Sequence, residues 1–196
     1  MEIKDNYVFF FVGGSCGSFV KCIFYYYLYK LKRYDKPVYF KIDPITGHCH
    51  ENNVPQHYHW INDLDQTKKL ILIDFDQDDK STIAKMAFYK HFKFSIYKNP
   101  DILNQNWYGK LSNIDPLDIE LLEKTFVQNP NYLIFLNWRN QVKKLNPVLV
   151  IKFKDILYGQ LNEIIANYLQ TVPLPEVENY IKEYRAINKK YIDIAQ

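Results

Sequence analysis

The chain has 196 residues, of which 47% are hydrophobic and 24% charged, and this composition predicts a folded globular protein rather than a disordered one. The formal net charge of +3 is too small to indicate a nucleic-acid or membrane partner, and the basic residues form no block. No apolar run approaches the length of a membrane span. We therefore expect a single domain over residues 1–196, with neither nucleic acid nor a membrane among its partners.

The three cysteines, Cys16, Cys22 and Cys49, are odd in number and form no CxxC pair. This pattern argues against a disulfide framework and favours a reducing compartment. A cytoplasmic location is therefore expected, in the host cytoplasm if the gene is viral. The preference for Lys, Asn, Ile and Tyr over Arg, Gly and Ala is typical of AT-rich coding, and it would suit a phage or viral gene.

The N-terminal half alternates strand patterns with a helical one. Residues 7–12 (YVFFFV) and 69–75 (KLILIDF) are apolar in the manner of strands covered on both faces of a parallel sheet. Residues 18–33 have their apolar side chains at helical spacing. Residues 37–42 predict a second short strand, and residues 43–60 a polar loop rich in histidine.

The C-terminal half predicts several helices around one further strand at 147–153. Asp115 and Pro116 are typical of a helix cap followed by the first helical position. Residues 94–114 have little periodicity and predict an irregular excursion. Strands that alternate with helices indicate an α/β fold with a mostly parallel sheet. The helices are expected at residues 78–92, 115–126, 131–145, 160–171 and 174–194.

A glycine loop, GGSCGSF at residues 13–19, separates the first predicted strand from the first helix. Free N–H groups and the helix dipole attract anions at a helix start, and glycines let the backbone wrap around phosphate oxygens. The pattern predicts a phosphate site, with Ser15 and Ser18 as further donors. The lysine of a Walker motif is missing after Gly17, which disfavours an ATPase or GTPase. A tight turn without a ligand is the other interpretation.

The loop and two later segments, in this order, resemble the P-loop sulfotransferases, which transfer a sulfo group from the donor PAPS. Residues 56–91 resemble the family's region in which a catalytic His precedes a strand and a Ser lies on the next helix. Residues 147–175 resemble its late strand and the Y-E-D-L segment that follows. The family's P-K-S-G-T-T loop is matched in position by Gly14, Ser15, Cys16, Gly17, Ser18 and Phe19.

The resemblance implies a P-loop-type three-layer fold with a mostly parallel central sheet. It implies that residues 14–19 hold the 5′-phosphate of PAPS, or of its desulfated form PAP, and that Ser81, or alternatively Thr82, also contacts the donor. The acceptor would be a hydroxyl or amine of a small molecule or glycan, and the reaction needs no metal. A binding or structural protein that has lost catalysis and an atypical nucleotide kinase are the two alternatives.

Two cations of the family are missing from the chain. The family's loop lysine falls on Ser15, and no arginine follows the strand at 69–75. Each lost charge-assisted contact is worth about 1.5–3 kcal/mol. Other cations, such as Lys21, Lys80 or Arg139, would have to replace them if the donor is bound at all.

Four of the five histidines lie in residues 47–60, GHCHENNVPQHYHW. The resemblance favours His57 or His59 as the general base that takes the acceptor's proton, a role suited to a pKa near neutrality. A zinc site built from three or four of these histidines and Cys49 is a second interpretation, although the spacing fits no standard finger. An exposed polar loop is the third.

The aromatic residues allow two interpretations. The run FYYYLY at 24–29 and the side chains of Trp60, Trp107 and Trp138 would form either an acceptor-binding wall or part of the core. Aromatic residues at helical spacing favour the core.

Overall fold

A computed structural model describes residues 6–44, 47–55, 64–65, 67–93, 113–115 and 117–195. These residues form a mixed α/β fold, and none of their helices is long and apolar enough to cross a bilayer. The elements are β1 (Tyr7–Phe10), α1 (Gly17–Lys30), β2 (Tyr39–Ile42), β3 (Cys49–Asn52), β4 (Lys69–Asp74), α2 (Asp79–Ala87), a π-helical turn (Phe88–Phe92), α3 (Ile119–Val127), α4 (Pro130–Asn137), α5 (Arg139–Lys143), β5 (Leu149–Lys152), α6 (Phe153–Leu157), α7 (Leu161–Tyr168) and α8 (Pro175–Ala195).

Three parallel strands, in the order β1-β4-β5, form the main sheet of the described residues. In the register of the sheet, Phe9 lies beside Ile71, and Ile73 lies beside Ile151. The prediction of a parallel sheet is confirmed for these strands. Because the strands run in one direction, their carboxyl ends lie at the same edge, and this edge positions the candidate site.

The middle of the sheet is buried on both faces, as the apolar strand patterns predict. Phe9 and Ile71 face the large core, which α1, α2, α7 and α8 complete. Phe10 and Leu72 face the opposite side and pack in a smaller cluster with Val142 of α5. Alternate side chains of one strand therefore enter two different hydrophobic clusters, as they must in a strand whose side chains alternate between faces.

The strand predicted at 37–42 does not join the parallel sheet. It forms β2, which pairs antiparallel with β3, so the prediction of a loop over all of residues 43–60 is wrong at 49–52. The turn between the strands is closed by hydrogen bonds from the Asp43 N–H to the His48 carbonyl and from the Gly47 N–H to the Asp43 carbonyl, both 2.8 Å. Gly47 has a φ of 64°, which favours glycine.

Several predicted boundaries were wrong for local reasons. Helix α3 begins at Ile119, where the Asp118 carboxylate accepts from the Leu121 N–H at 3.0 Å and caps the helix. Asp115, the predicted cap, instead accepts from Leu117 N–H in the preceding turn. The helix predicted at 131–145 is divided into α4 and α5 at Trp138, and the last predicted strand ends at Lys152, where α6 follows directly.

The aromatic run in α1 is mainly a core element. Phe24, Tyr25 and Tyr27 are each at most 1% exposed. The Tyr27 hydroxyl donates to the Asn162 side-chain oxygen and accepts from the Leu174 N–H at 2.9 Å. Tyr27 therefore links α1 to the C-terminal part of the chain. The acceptor-wall interpretation does not apply to these three buried rings.

The glycine loop lies against the backbone of α2 at Gly14. Its φ is 86°, and an added Cβ would lie 2.3 Å from the Ile83 carbonyl oxygen and 2.9 Å from the Ala87 nitrogen. Both atoms belong to helix backbone, which cannot rotate away as a side chain does. The adjacent Gly13 differs, because an added Cβ there would meet nothing within 4 Å.

We expect Gly14→Ala to lower the free energy of unfolding by about 3 kcal/mol, because the substitution combines a left-handed backbone with overpacking. Gly13→Ala is the matched control and should change the free energy by less than about 0.5 kcal/mol. Urea unfolding of both variants measures the difference. Equal effects of the two substitutions would contradict the described contact between the loop and α2.

Candidate functional site at the carboxyl edge of the sheet

Three chain segments leave the parallel sheet at its carboxyl edge. The glycine loop follows β1, residues 75–79 follow β4, and α6 follows β5. Ligands of open α/β sheets bind outside the carboxyl ends of the strands, where loops and helix starts converge. This edge is therefore where the predicted phosphate site and its cations should be sought.

The glycine loop uses part of its polar surface to hold its own turn. Ser15 is 0% exposed, and its hydroxyl donates to the Val12 carbonyl at 2.7 Å. The Ser15 N–H also donates to Val12 at 3.2 Å, and the Phe19 N–H donates to the Cys16 carbonyl at 3.1 Å. Of the predicted donor groups, Ser18 is the hydroxyl that remains partly exposed.

Packing also accounts for the glycine at the start of α1. An added Cβ at Gly17 would lie 2.0 Å from the Phe11 ring, so this ring lies directly against the backbone. Cys16, which precedes it, adopts a left-handed φ of 63°. The ring of Phe19 is buried and stacks on Tyr184 with centroids 3.9 Å apart. These contacts favour the tight-turn interpretation of the loop, whereas its predicted phosphate binding stays a prediction.

A buried carboxylate ends the central strand. Asp74, the last residue of β4, is 1% exposed and contacts three cations. Its oxygens lie 2.6 Å from Lys152 Nζ, 2.9 Å from Lys143 Nζ and 3.4 Å from Arg139 Nη1. Burial alone would raise the pKa of Asp74, but hydrogen bonds from Lys143 and Lys152 and from the Phe75 backbone lower the pKa below its usual value. Asp74 is therefore ionised at neutral pH.

Further charges extend this cluster along the edge. Lys152 Nζ lies 3.3 Å from Asp76, and Lys154 Nζ lies 3.6 Å from Asp76 and 3.9 Å from Asp79. Cations from α5, β5 and α6 therefore converge on the segment that follows β4. The carboxylates of this segment neutralise much of that charge.

Lys80 and Arg139 lie close together in this cluster. Lys80 Nζ donates to the Asn137 side-chain oxygen at 2.6 Å, and burial, followed by the charge of Arg139, lowers the pKa of Lys80. The Arg139 guanidinium stacks on the Phe75 ring at 4.5 Å. Its Nε is buried and has no hydrogen-bond partner in the described part of the chain. An anion beside these two residues would offset their mutual repulsion.

The three cations that the sequence offered as substitutes have different surroundings. Lys80 and Arg139 lie at the carboxyl edge, whereas Lys21 is 1% exposed and forms an ion pair with Glu51 of the β2–β3 hairpin. The prediction that Lys21 is an available cation is wrong because a buried ammonium requires a counter-charge. Ser81 is exposed in the first turn of α2.

The predicted catalytic histidines, His57 and His59, lie outside the described residues. Within the described ranges, His50 is 72% exposed and lies 3.7 Å from Asp43. His48 is partly buried, and burial, followed by the charge of Lys90, lowers its pKa. Among the described residues no group of three or more His, Cys, Asp or Glu side chains is arranged to hold a metal ion.

Asp74, Lys143 and Lys152 were missed by the sequence analysis. The available signal was a charged residue at the end of each of two apolar strands, Asp74 after KLILI and Lys152 after LVI. In adjacent parallel strands these two positions lie side by side at the carboxyl edge. Lys143, on a short helix, offered no such signal.

Comparisons of the chain with protein-family models, with curated proteins and with solved structures found no match. The function is therefore inferred from the residues and geometry of this edge.

We expect Asp74→Asn to lower the free energy of unfolding at neutral pH by about 2–4 kcal/mol, because three cations lose the buried charge that holds them together. Asp78→Asn is the control, since Asp78 is exposed on the same segment, and it should stay within about 0.5 kcal/mol of the wild type. Urea unfolding at fixed ionic strength provides both values.

The pH dependence of this loss follows from the lowered pKa of Asp74. A carboxylate whose pKa is lower in the folded state contributes its full stability above the unfolded pKa, near 4, and loses it as the pH falls through the folded pKa. The stability difference between wild type and Asp74→Asn should therefore shrink below about pH 4. A difference that stays constant as the pH falls would contradict the ionised state of Asp74.

Proposed function

We propose that this protein is a sulfotransferase-like protein with a P-loop-type three-layer fold. It binds PAPS at the carboxyl edge of the sheet and transfers the sulfo group to a hydroxyl or amine of a small molecule or glycan. The observation that carries the proposal is that Lys80 and Arg139 lie at the edge where the glycine loop leaves the neighbouring strand, β1. The resemblance in sequence supplies the reaction.

The chemistry of Arg139 and Lys80 supports an anionic ligand. A guanidinium binds phosphate or sulfate oxygens through its planar set of donors, and an ammonium adds a compact charge. Burial, followed by the charge of Arg139, lowers the pKa of Lys80, so an anion bound beside the two residues would stabilise their charges. These two residues would replace the loop lysine and the strand-end arginine that the family has and this chain lacks.

The proposed reaction assigns a role to each predicted group. Backbone N–H groups of residues 14–19 and the hydroxyl of Ser18 hold the 5′-phosphate, and Ser81 contacts the donor from the start of α2. His57 or His59 takes the proton from the acceptor as the acceptor's oxygen or nitrogen attacks the sulfur atom of PAPS. The bond from sulfur to the phosphate oxygen breaks, and PAP leaves.

We expect PAP to raise the melting temperature of the wild type more than ATP–Mg²⁺ does, because the Walker lysine is missing. Lys80→Ala should weaken PAP binding by about 10–100-fold through loss of one charge-assisted contact. Lys182→Ala, an exposed residue of α8, is the matched control and should bind PAP as the wild type does. Thermal shift and isothermal titration measure both effects.

Other outcomes of this experiment separate the alternatives. A larger shift with ATP–Mg²⁺ would favour an atypical nucleotide kinase. No shift with either nucleotide would favour a binding or structural protein. The binding or structural protein has its own support in the structure. Packing or internal hydrogen bonding accounts for Gly14, Ser15 and Gly17 without a ligand.

A separate prediction tests the proposed base. His57→Ala combined with His59→Ala should lower sulfo transfer by about 10²–10⁴-fold, because proton transfer matters only in the transition state. PAP affinity should be unchanged in the same variant, as measured by titration. His50→Ala is the control, because it removes a neighbouring exposed histidine. Full transfer activity in the double variant would exclude both His57 and His59 as the base.

A further inference from the structure

A buried polar cluster lies between α1 and the β2–β3 hairpin, apart from the carboxyl-edge site. Cys22 of α1 and Cys49 of β3 are free thiols, with their sulfur atoms 3.3 Å apart. The Cys22 thiol donates to Glu51 Oε2 at 2.8 Å, and the other oxygen of Glu51 accepts from Lys21. Two thiols, a carboxylate and an ammonium are therefore in contact.

The geometry requires little movement for a covalent bond. A disulfide has a sulfur–sulfur distance near 2.05 Å, so the two sulfur atoms need to approach by only about 1.3 Å. Cys22 and Cys49 are 0% and 8% exposed, and each faces the other across the interface of helix and hairpin. We propose that they form a reversible redox pair, which a low-molecular-weight disulfide converts to a disulfide that joins the hairpin to α1.

The reaction proceeds by two thiol–disulfide exchanges. Cys49 first gives its thiol proton to solvent. The Cys49 thiolate then attacks one sulfur of the small disulfide, forms a mixed disulfide and releases one small thiolate, which takes up a proton from solvent. Cys22 then gives its proton to Glu51 and attacks the Cys49 sulfur, which forms the Cys22–Cys49 bond and releases the second small thiolate. The two cysteines are oxidised by two electrons, the small disulfide is reduced to two thiols, and Glu51 passes its proton to the released thiolate.

The surroundings of the two thiols affect how readily they react. Burial, together with hydrogen bonding to Cys49 and Glu51, raises the pKa of the Cys22 thiol, so little thiolate is present to react by chance. Cys49 is the first residue of β3, which forms a two-stranded sheet with β2. Opening of this small hairpin exposes Cys49 without unfolding the parallel sheet.

Cys16 is an internal control within the same chain. It is also buried and free, but its surroundings are Tyr184 and Lys90, and its sulfur lies 4.0 Å from the Gly14 carbonyl. Burial raises the pKa of its thiol as well. Burial alone therefore does not distinguish the three cysteines, whereas the sulfur–sulfur contact selects Cys22 and Cys49.

The test treats the reduced native protein with glutathione disulfide and follows free thiols, intact mass and peptide maps. The wild type and Cys16→Ser should each lose two thiols through a Cys22–Cys49 linkage that dithiothreitol reverses. No glutathione should remain attached to either protein. Oxidation should raise the melting temperature by roughly 5–15 °C, because the cross-link restricts the unfolded chain. Cys22→Ser should instead retain glutathione on Cys49 and show no such rise.

Three results would overturn the proposal. One is a wild-type protein that keeps all three thiols after prolonged incubation although the urea-unfolded chain reacts. Another is a linkage that includes Cys16, and the third is glutathione that remains attached to Cys49 in the wild type. Because the first and decisive measurement uses the unaltered chain, a folding defect in any variant leaves the test intact. None of these results depends on PAPS binding.

Discussion

The ionised carboxylate of Asp74 is the constraint on which the carboxyl edge depends. A buried charge is tolerated in a protein only when it is paired and hydrogen-bonded, and Asp74 meets this condition through partners from two other elements. Arg139 and Lys143 come from α5, and Lys152 comes from the end of β5. The requirement to neutralise one side chain therefore fixes α5 against the end of the sheet. Arg139 is brought next to Lys80 as a consequence of this pairing.

The glycine loop must satisfy packing before it can serve a ligand. Gly14 lets the loop contact the backbone of α2, and Gly17 lets the ring of Phe11 lie against the start of α1. Both residues would be retained in a protein with no ligand at all. Lys80 and Arg139 are different, because the packing of the glycine loop does not require these two cations to lie side by side. The functional proposal therefore depends more on these cations than on the glycines.

The sequence predicted the elements that depend on one local signal. It failed for the elements and contacts that depend on residues distant in the chain. Continuous apolar runs predicted β1 and β4, because a strand buried on both faces has no polar alternation. Apolar side chains at helical spacing predicted α1. The strand β3 was missed because CHEN has only polar or small side chains, and Lys21 of α1 neutralises its one acidic residue, Glu51. Asp118 replaced Asp115 as a cap because both residues can cap a helix, and local sequence does not choose between them.

The candidate site was predictable only in part for the same reason. Lys80 and Arg139 were named from the sequence. The partners of Asp74, however, include Arg139, 65 positions away, and Lys152, 78 positions away, and no local pattern reveals such pairing. The pairing of Cys22 with Cys49 depends equally on how the hairpin packs against α1.

The strand pairing also determines the order in which the chain can fold. Tyr7 pairs with Lys69, and Ile71 pairs with Leu149, so each contact of the parallel sheet closes a long loop of chain. Ile42 and Cys49, by contrast, pair across one short turn. Hairpins form in about 1–10 μs, whereas folds dominated by contacts between distant residues take milliseconds to seconds. The β2–β3 hairpin therefore closes a much shorter loop than β1 and β4 do, and these two apolar strands stay exposed to aggregation until that long loop has closed.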